Sequence, residues 1–186
     1  EFIYTGNNLS QERIVAADGK VTSNTRYTYD AQNRLSQVLL DLSPEDASIT
    51  DGKVYATTYT YAGAGNLIDS IIQTDGSVQK FSYIIVDGES RVASLTDAYN
   101  NVTRFDYDTV NRQTKVTDAF GNVTVYSLTT DKRFDSITAP AANGQTSTLR
   151  YGYDNAGNIA SLTDAQGNAT SYSYDTAGHL LTKTDA

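Results

Sequence analysis

The chain has 186 residues and a formal net charge of -8, from 14 basic and 22 acidic side chains. That balance argues against sequence-independent nucleic-acid binding and against docking on an anionic membrane surface, since both need a basic footprint. With no cysteine, disulfide staples and thiolate metal sites are ruled out.

The apolar content is tyrosine-rich, with 14 Tyr against 5 Phe and no Trp. Tyrosine suits half-buried strands, because the ring packs while the hydroxyl finds a polar partner. The longest apolar run, Tyr83-Ile84-Ile85-Val86, has strand length, and no membrane insertion by this segment is expected. The chain starts at Glu1 without a charged-then-apolar leader and reads as a mature or excised fragment.

In chain order, an aromatic-x-aromatic signature recurs, with unit starts near Phe2, Tyr27, Tyr59, Phe81, Phe105, Tyr126, Tyr151 and Tyr172 and a base period of about 21 residues. The first unit, from Phe2, lacks the Asp that follows the second aromatic elsewhere. Its second turn, Asp18-Gly19, lies between two strand-like runs and predicts a two-residue hairpin with positive φ at both positions. In the second unit Tyr27, Tyr29 and Asp30 lead into Arg34 and Leu35. An insertion over 39–50 follows, in which Ser43-Pro44-Glu45-Asp46 predicts at most a short helical turn projecting from the array. The third unit replaces the Asp by Ala62 and turns again at Asp75-Gly76, and the fourth runs into Asp87-Gly88. The fifth carries Phe105, Tyr107 and Asp108. The sixth is degenerate, with Tyr126-Ser127-Leu128 for the aromatic pair and a longer loop over 139–144 containing the turn Asn143-Gly144. The seventh carries Tyr151, Tyr153, Asp154 and Gly157, and the eighth Tyr172, Tyr174, Asp175 and Gly178. The chain stops at Ala186 where the next turn is due, which predicts a longer array.

Turn signals every eight to twelve residues predict an all-β fold, an elongated twisted antiparallel sheet of consecutive β-hairpins over 1–186. Within each signature the two aromatics share a strand face. In Ile159-Ala160-Ser161-Leu162 the apolar residues face opposite sides unless a bulge intervenes, a choice the residues leave open.

No pattern carries a reaction or a cofactor. His179, the single histidine, holds a slot filled by Asn158, Arg34 or Arg112 in other units, and reads as a turn residue. Asp30, Asp108, Asp154 and Asp175 recur after the second tyrosine and read as turn-fixing acceptors rather than calcium ligands. The glycines match no phosphate loop. No catalytic, cofactor-binding or metal-binding residue is therefore expected.

The motif Tyr-x-Tyr-Asp-x-x-Gly-Asn/Arg-Leu/Ile, followed by Thr-Asp and a Gly-Asn turn, resembles the YD repeat of Rhs proteins. That family includes bacterial polymorphic toxins, the cocoon component of Tc-type toxin complexes, wall-associated proteins and teneurins. The resemblance is specific at 27–35, 105–112, 151–159 and 172–180, and units one, three, four and six depart from it. It implies a fragment of a spiral β-shell in a secreted or cell-surface bacterial protein. The function implied is structural and non-catalytic, in toxin encapsulation or delivery. The partners implied are the rest of the parent shell and an enclosed toxin cargo. The alternative is an extracellular binding module for a glycan or protein, with the 39–50 insertion as its binding loop. Open strand edges are expected to pair as an edge-to-edge homodimer.

Overall fold

The computed structural model describes residues 1–46, 48–141 and 144–186. The expected turn at Asn143 lies outside the described residues. Sixteen antiparallel strands follow one another in sequence order within one sheet, and the described residues contain no α-helix.

The chain divides into two compact units. The first, Glu1–Ser82 with Leu95–Asn100, holds β1 (Phe2–Thr5), β2 (Asn8–Val15), β3 (Val21–Tyr29), β4 (Leu35–Asp41), β5 (Val54–Tyr61) and β6 (Ile68–Gln73). The strands β7 (Val78–Val86) and β8 (Glu89–Thr96) come next in the chain. The second unit, Tyr83–Ser94 with Asn101–Ala186, holds β9 (Val102–Asp108), β10 (Gln113–Thr117), β11 (Val123–Leu128) and β12 (Phe134–Pro140). It also holds β13 (Thr146–Tyr153), β14 (Ile159–Thr163), β15 (Ala169–Tyr174) and β16 (Leu180–Thr184). Every aromatic signature starts in an odd-numbered strand.

Register separates the chemistry of the two faces. In the second unit Tyr107 lies opposite Thr114, Thr114 opposite Tyr126, and Tyr126 opposite Ile137. The neighbouring positions belong to the other face and, Val125 apart, are polar. There Thr138 and Thr148 bring their hydroxyls to 2.9 Å, and Ser173 and Thr182 to 2.6 Å. The first unit repeats the pattern, with Thr60 and Ser70 hydroxyls 2.7 Å apart and Gln37 donating to Thr58 at 3.0 Å. Such cross-strand pairs contribute roughly 0.2–1 kcal/mol each.

A bulge recurs just past the signature turn. Tyr153 pairs with Ile159 and Gly152 with Ser161, leaving Ala160 as the extra residue. Ile159 and Leu162 therefore both lie on the face of Tyr151 and Tyr153, which resolves the three-residue spacing in the sequence. The same shift occurs at Tyr29 with Leu35, Tyr61 with Ile68 and Tyr174 with Leu180.

Two expectations need correction. Asp18-Gly19 is not a two-residue turn, because Gly19 N–H donates to Ala16 and Ala16 N–H to Lys20 across a longer loop. Only Gly19 takes positive φ, while the Asp18 carboxylate accepts Lys20 N–H at 3.0 Å. Asp75-Gly76 behaves alike, whereas at Asp87-Gly88 both residues take positive φ, at 52° and 82°. The insertion also folds back rather than projecting. Its helical element is the single 3-10 turn Pro44–Asp46, which packs against β3.

Polar side chains hold that turn down. Asn24, 1% exposed, donates from Nδ2 to Asp41 at 2.9 Å and accepts from Gln11 at 2.7 Å. Asp41, 4% exposed, also accepts Ser43 N–H at 3.0 Å. The five residues classed as buried, Asn24, Asp41, Ser43, Ser70 and Ser136, are all polar, and no hydrophobic side chain among the described residues is buried. The hairpins are held by hydrogen bonds and half-exposed rings instead of a closed core.

Asn24→Ala is expected to cost about 2 kcal/mol in urea unfolding, because it strips a donor from a buried carboxyl and leaves Gln11 unpaired. An unchanged midpoint would show that the insertion is not held through this side chain.

Candidate functional site

The residues singled out by the repeat converge on the signature turns. In the seventh unit Asp154 N–H donates to the Asn158 carbonyl at 3.0 Å, and Gly157 N–H to the Asp154 carbonyl at 3.0 Å. Gly157 sits at φ 92°, a left-handed conformation that glycine adopts without steric cost. The Asp154 side chain then accepts Asn158 N–H at 2.9 Å on one oxygen and Asn158 Nδ2 at 3.0 Å on the other. Asp175 does the same with His179, accepting its backbone N–H at 2.9 Å, while Nδ1 lies 2.9 Å from the second oxygen. Asp30 grips Arg34 through the backbone at 2.9 Å and Nε at 2.7 Å. Asn, Arg and His are interchangeable here because each offers a side-chain nitrogen at the right reach. His179 thus has a defined structural task.

The second turn type, Thr-Asp-Ala-x-x-Asn, uses the same clasp. Asp118 with Asn122 and Asp164 with Asn168 repeat both contacts at 2.8 Å. Asp108 departs from the scheme, accepting from Asn111 N–H at 2.9 Å and Nδ2 at 2.7 Å, with Arg112 itself at φ 54°. The Asn158 side chain and N–H hold the Asp154 carboxyl below its ordinary value, and the His179 N–H and ring do so for Asp175. The Arg34 N–H has the same effect on Asp30. Hydrogen bonds to the charged form favour it.

Four second-position tyrosines tie their hairpin to the one before. Tyr29 donates its hydroxyl to the Leu9 carbonyl at 2.9 Å and Tyr61 to Leu35 at 2.7 Å. Tyr107 donates to Val92 at 2.8 Å and Tyr174 to Ile159 at 2.9 Å. Each acceptor lies on the second strand of the preceding hairpin: Leu35 and Ile159 open theirs, and Leu9 and Val92 sit further in. A signal for this bond is visible in the sequence. The first aromatic position accepts Phe2, Phe81 or Phe105, whereas the second is Tyr in every unit except at Leu128. The first-position tyrosines make no equivalent shared bond, and Tyr27 reaches Glu12 at 3.3 Å. Phe134 lies between Tyr126 and Tyr151, with ring centroids 6.2 and 6.0 Å away.

Arginines add a second tie that the sequence reading missed. The Arg34 guanidinium lies 4.3 Å from the Tyr61 ring centre, Arg91 lies 5.3 Å from that of Tyr107, and Arg133 5.3 Å from that of Tyr153. Arg34 also donates to the Gly63 carbonyl at 3.0 Å. A Cβ at Gly157 would stand 2.7 Å from the Arg133 guanidinium, so that glycine also gives the arginine room. Among the described residues no cluster of three His, Asp or Glu side chains is arranged to hold a metal.

Residues 141–169 and 153–186 match the RHS Repeat family. No curated protein matches the chain in sequence. Among solved structures it is similar to TcdB2-TccC3 without its hypervariable C-terminal region, at 14% identity over 94% of this chain and a TM-score of 0.33. It spans 13% of that chain. A Photorhabdus luminescens Tc holotoxin pore gives 14% identity, 94% coverage, 12% of that chain and a TM-score of 0.32. A porin-like protein from Bacteroides uniformis gives 14% identity, 95% and 96% coverage and a TM-score of 0.36. Likenesses this low carry no argument about activity or assembly.

A depressed carboxyl pKa stabilises the fold above the ordinary aspartate value of 3.8, and that contribution is lost as pH falls through the lower folded value. The melting midpoint is therefore expected to be flat from about pH 7 to about pH 5 and to fall below about pH 4. The combined Asp154→Asn and Asp164→Asn variant should show a shallower acid fall, and an unaltered fall would contradict the clasp. A calcium chelator should leave the midpoint unchanged, because N–H groups already occupy both oxygens of these aspartates.

Proposed function

We propose that this chain, whose residues 141–186 carry RHS repeats, is a non-catalytic shell or scaffold segment of a larger secreted or cell-surface bacterial protein. Its work is to enclose or deliver a toxin, with the rest of the repeat shell and that cargo as partners. One observation supports this reading above all. Asp154, Asp175, His179 and Tyr174, the side chains that most invite a catalytic role, are engaged in turn and hairpin-to-hairpin hydrogen bonds. A repeat whose polar groups serve its own geometry is a building unit, stabilised by its neighbours.

A second reading, an extracellular binding module for a glycan or protein, draws on exposed aromatics at turn tips. Phe120 is 89% exposed and Tyr99 86% exposed. The insertion over 39–50 is less suited to that role, since its own Asp41 and Ser43 are buried.

The outer strands also favour association. β1 exposes Phe2 and Tyr4, and β16 exposes Leu180 and Leu181, beside backbone groups with no strand partner on their outer side. An edge-to-edge homodimer follows from the same feature that would join a further repeat.

Extending the chain past Ala186 by one and then two consensus units should raise the unfolding midpoint at each step, as neighbour-coupled repeats require. No gain, together with saturable glycan binding that Phe120→Ala abolishes, would replace the scaffold reading with the binding-module one. Sedimentation velocity over a hundredfold concentration range should show dimer formation. A monomer throughout would refute edge pairing.

A further inference from the structure

The sixth unit breaks the tyrosine rule, and the break leaves a space. At two signature turns the last residue faces the second aromatic of the next hairpin. Arg34 faces Tyr61 and Arg133 faces Tyr153 in this way, each guanidinium covering its ring. Arg112 faces Leu128, with Leu128 N–H donating to the Arg112 carbonyl at 3.0 Å and Arg112 Nε to the Leu128 carbonyl at 3.3 Å. Leucine supplies neither the ring nor the hydroxyl. A cavity of about 270 Å³ lies at this position, lined by Arg91, Tyr107, Arg112, Leu128 and Lys132, with Asp87 and Asp108 also on its wall.

We propose that this vacated tyrosine slot binds a small aromatic carboxylate. The volume suits a ring with a substituent, since a cavity of about 150 Å³ already takes benzene. Arg112 occupies the turn position from which Arg34 and Arg133 cover their rings, and it is the cation for the ring of the ligand. Lys132, on the same wall, supplies the charge for the carboxylate as a point cation. Of the two acids on the wall, Asp108 already accepts Asn111 N–H and Nδ2 on its two oxygens, while three cations, Arg91, Arg112 and Lys132, share the lining. Tyr107 is held in place by its bond to the Val92 carbonyl and by Arg91, which makes that wall preformed.

The test titrates 4-hydroxybenzoate into the full chain by ligand-observed and protein-observed NMR at neutral pH and low salt, with p-cresol and acetate as comparators. Saturable binding is expected below about 10 mM, weakened about tenfold or more for p-cresol, which lacks the carboxylate, and for acetate, which lacks the ring. Leu128→Tyr should refill the slot, weaken binding about tenfold or more and raise the melting temperature. Arg112→Gln should weaken binding while circular dichroism reports an intact sheet. Absence of saturation, acetate binding as well as 4-hydroxybenzoate, or equal affinity in the parent and Leu128→Tyr would each overturn the proposal. If Leu128→Tyr does not fold, Leu128→Phe fills the ring space alone and must still reduce affinity.

Discussion

A phenol hydroxyl donating to the carbonyl of the preceding hairpin is the bond on which much of this structure depends. It recurs at Tyr29, Tyr61, Tyr107 and Tyr174, each time to a carbonyl on the second strand of the preceding hairpin. Each such bond contributes on the order of 1 kcal/mol net, a modest amount alone. Its importance comes from what surrounds it, since no hydrophobic side chain among the described residues is buried. The bond fixes how a hairpin meets its neighbour, and so where the ring lies. Arg34, Arg91 and Arg133 then cover rings already held in place.

The turns make that placement possible. The bulge at Ala160 returns Ile159 to the face of Tyr153, and its carbonyl accepts the Tyr174 hydroxyl. The Asp clasp fixes the path of the turn, while the bulge follows the second tyrosine and also occurs at Tyr61, where Ala62 replaces the Asp. Asp154 and Asp175 satisfy turn amides that would otherwise be left to solvent. The fifth unit departs from this geometry. Asp108 clasps Asn111, Gln113 pairs directly with Asp108, and no bulge follows.

Much of this was legible in the sequence because it repeats. Period-two aromatics at Tyr151 and Tyr153 gave the strand and its face, and Asp with Gly or Asn gave the turns. Three features were not legible. The bulge depends on which amide pairs with which carbonyl, and Ile159-Ala160-Ser161-Leu162 suits two registers until Tyr153 selects one. The Asp18-Gly19 dipeptide occurs in more than one turn type, and the Asp18 carboxylate on Lys20 N–H favours the longer loop. The return of the insertion rests on Asn24 and Asp41, 17 residues apart and outside the repeat, so no periodicity announces it. The arginine positions were visible, but as turn residues, because their partner rings belong to the next hairpin.

The central claim is that hydrogen bonds and half-exposed rings, rather than a buried apolar core, hold the hairpins. The heat-capacity change on unfolding reads this directly, because apolar exposure raises it and polar exposure lowers it. Calorimetry on the dilute monomer should give a value per residue clearly below the usual ~12–15 cal/mol/K. A value within or above that range would show that folding removes as much apolar surface from water as in an ordinary globular domain, and would contradict the account.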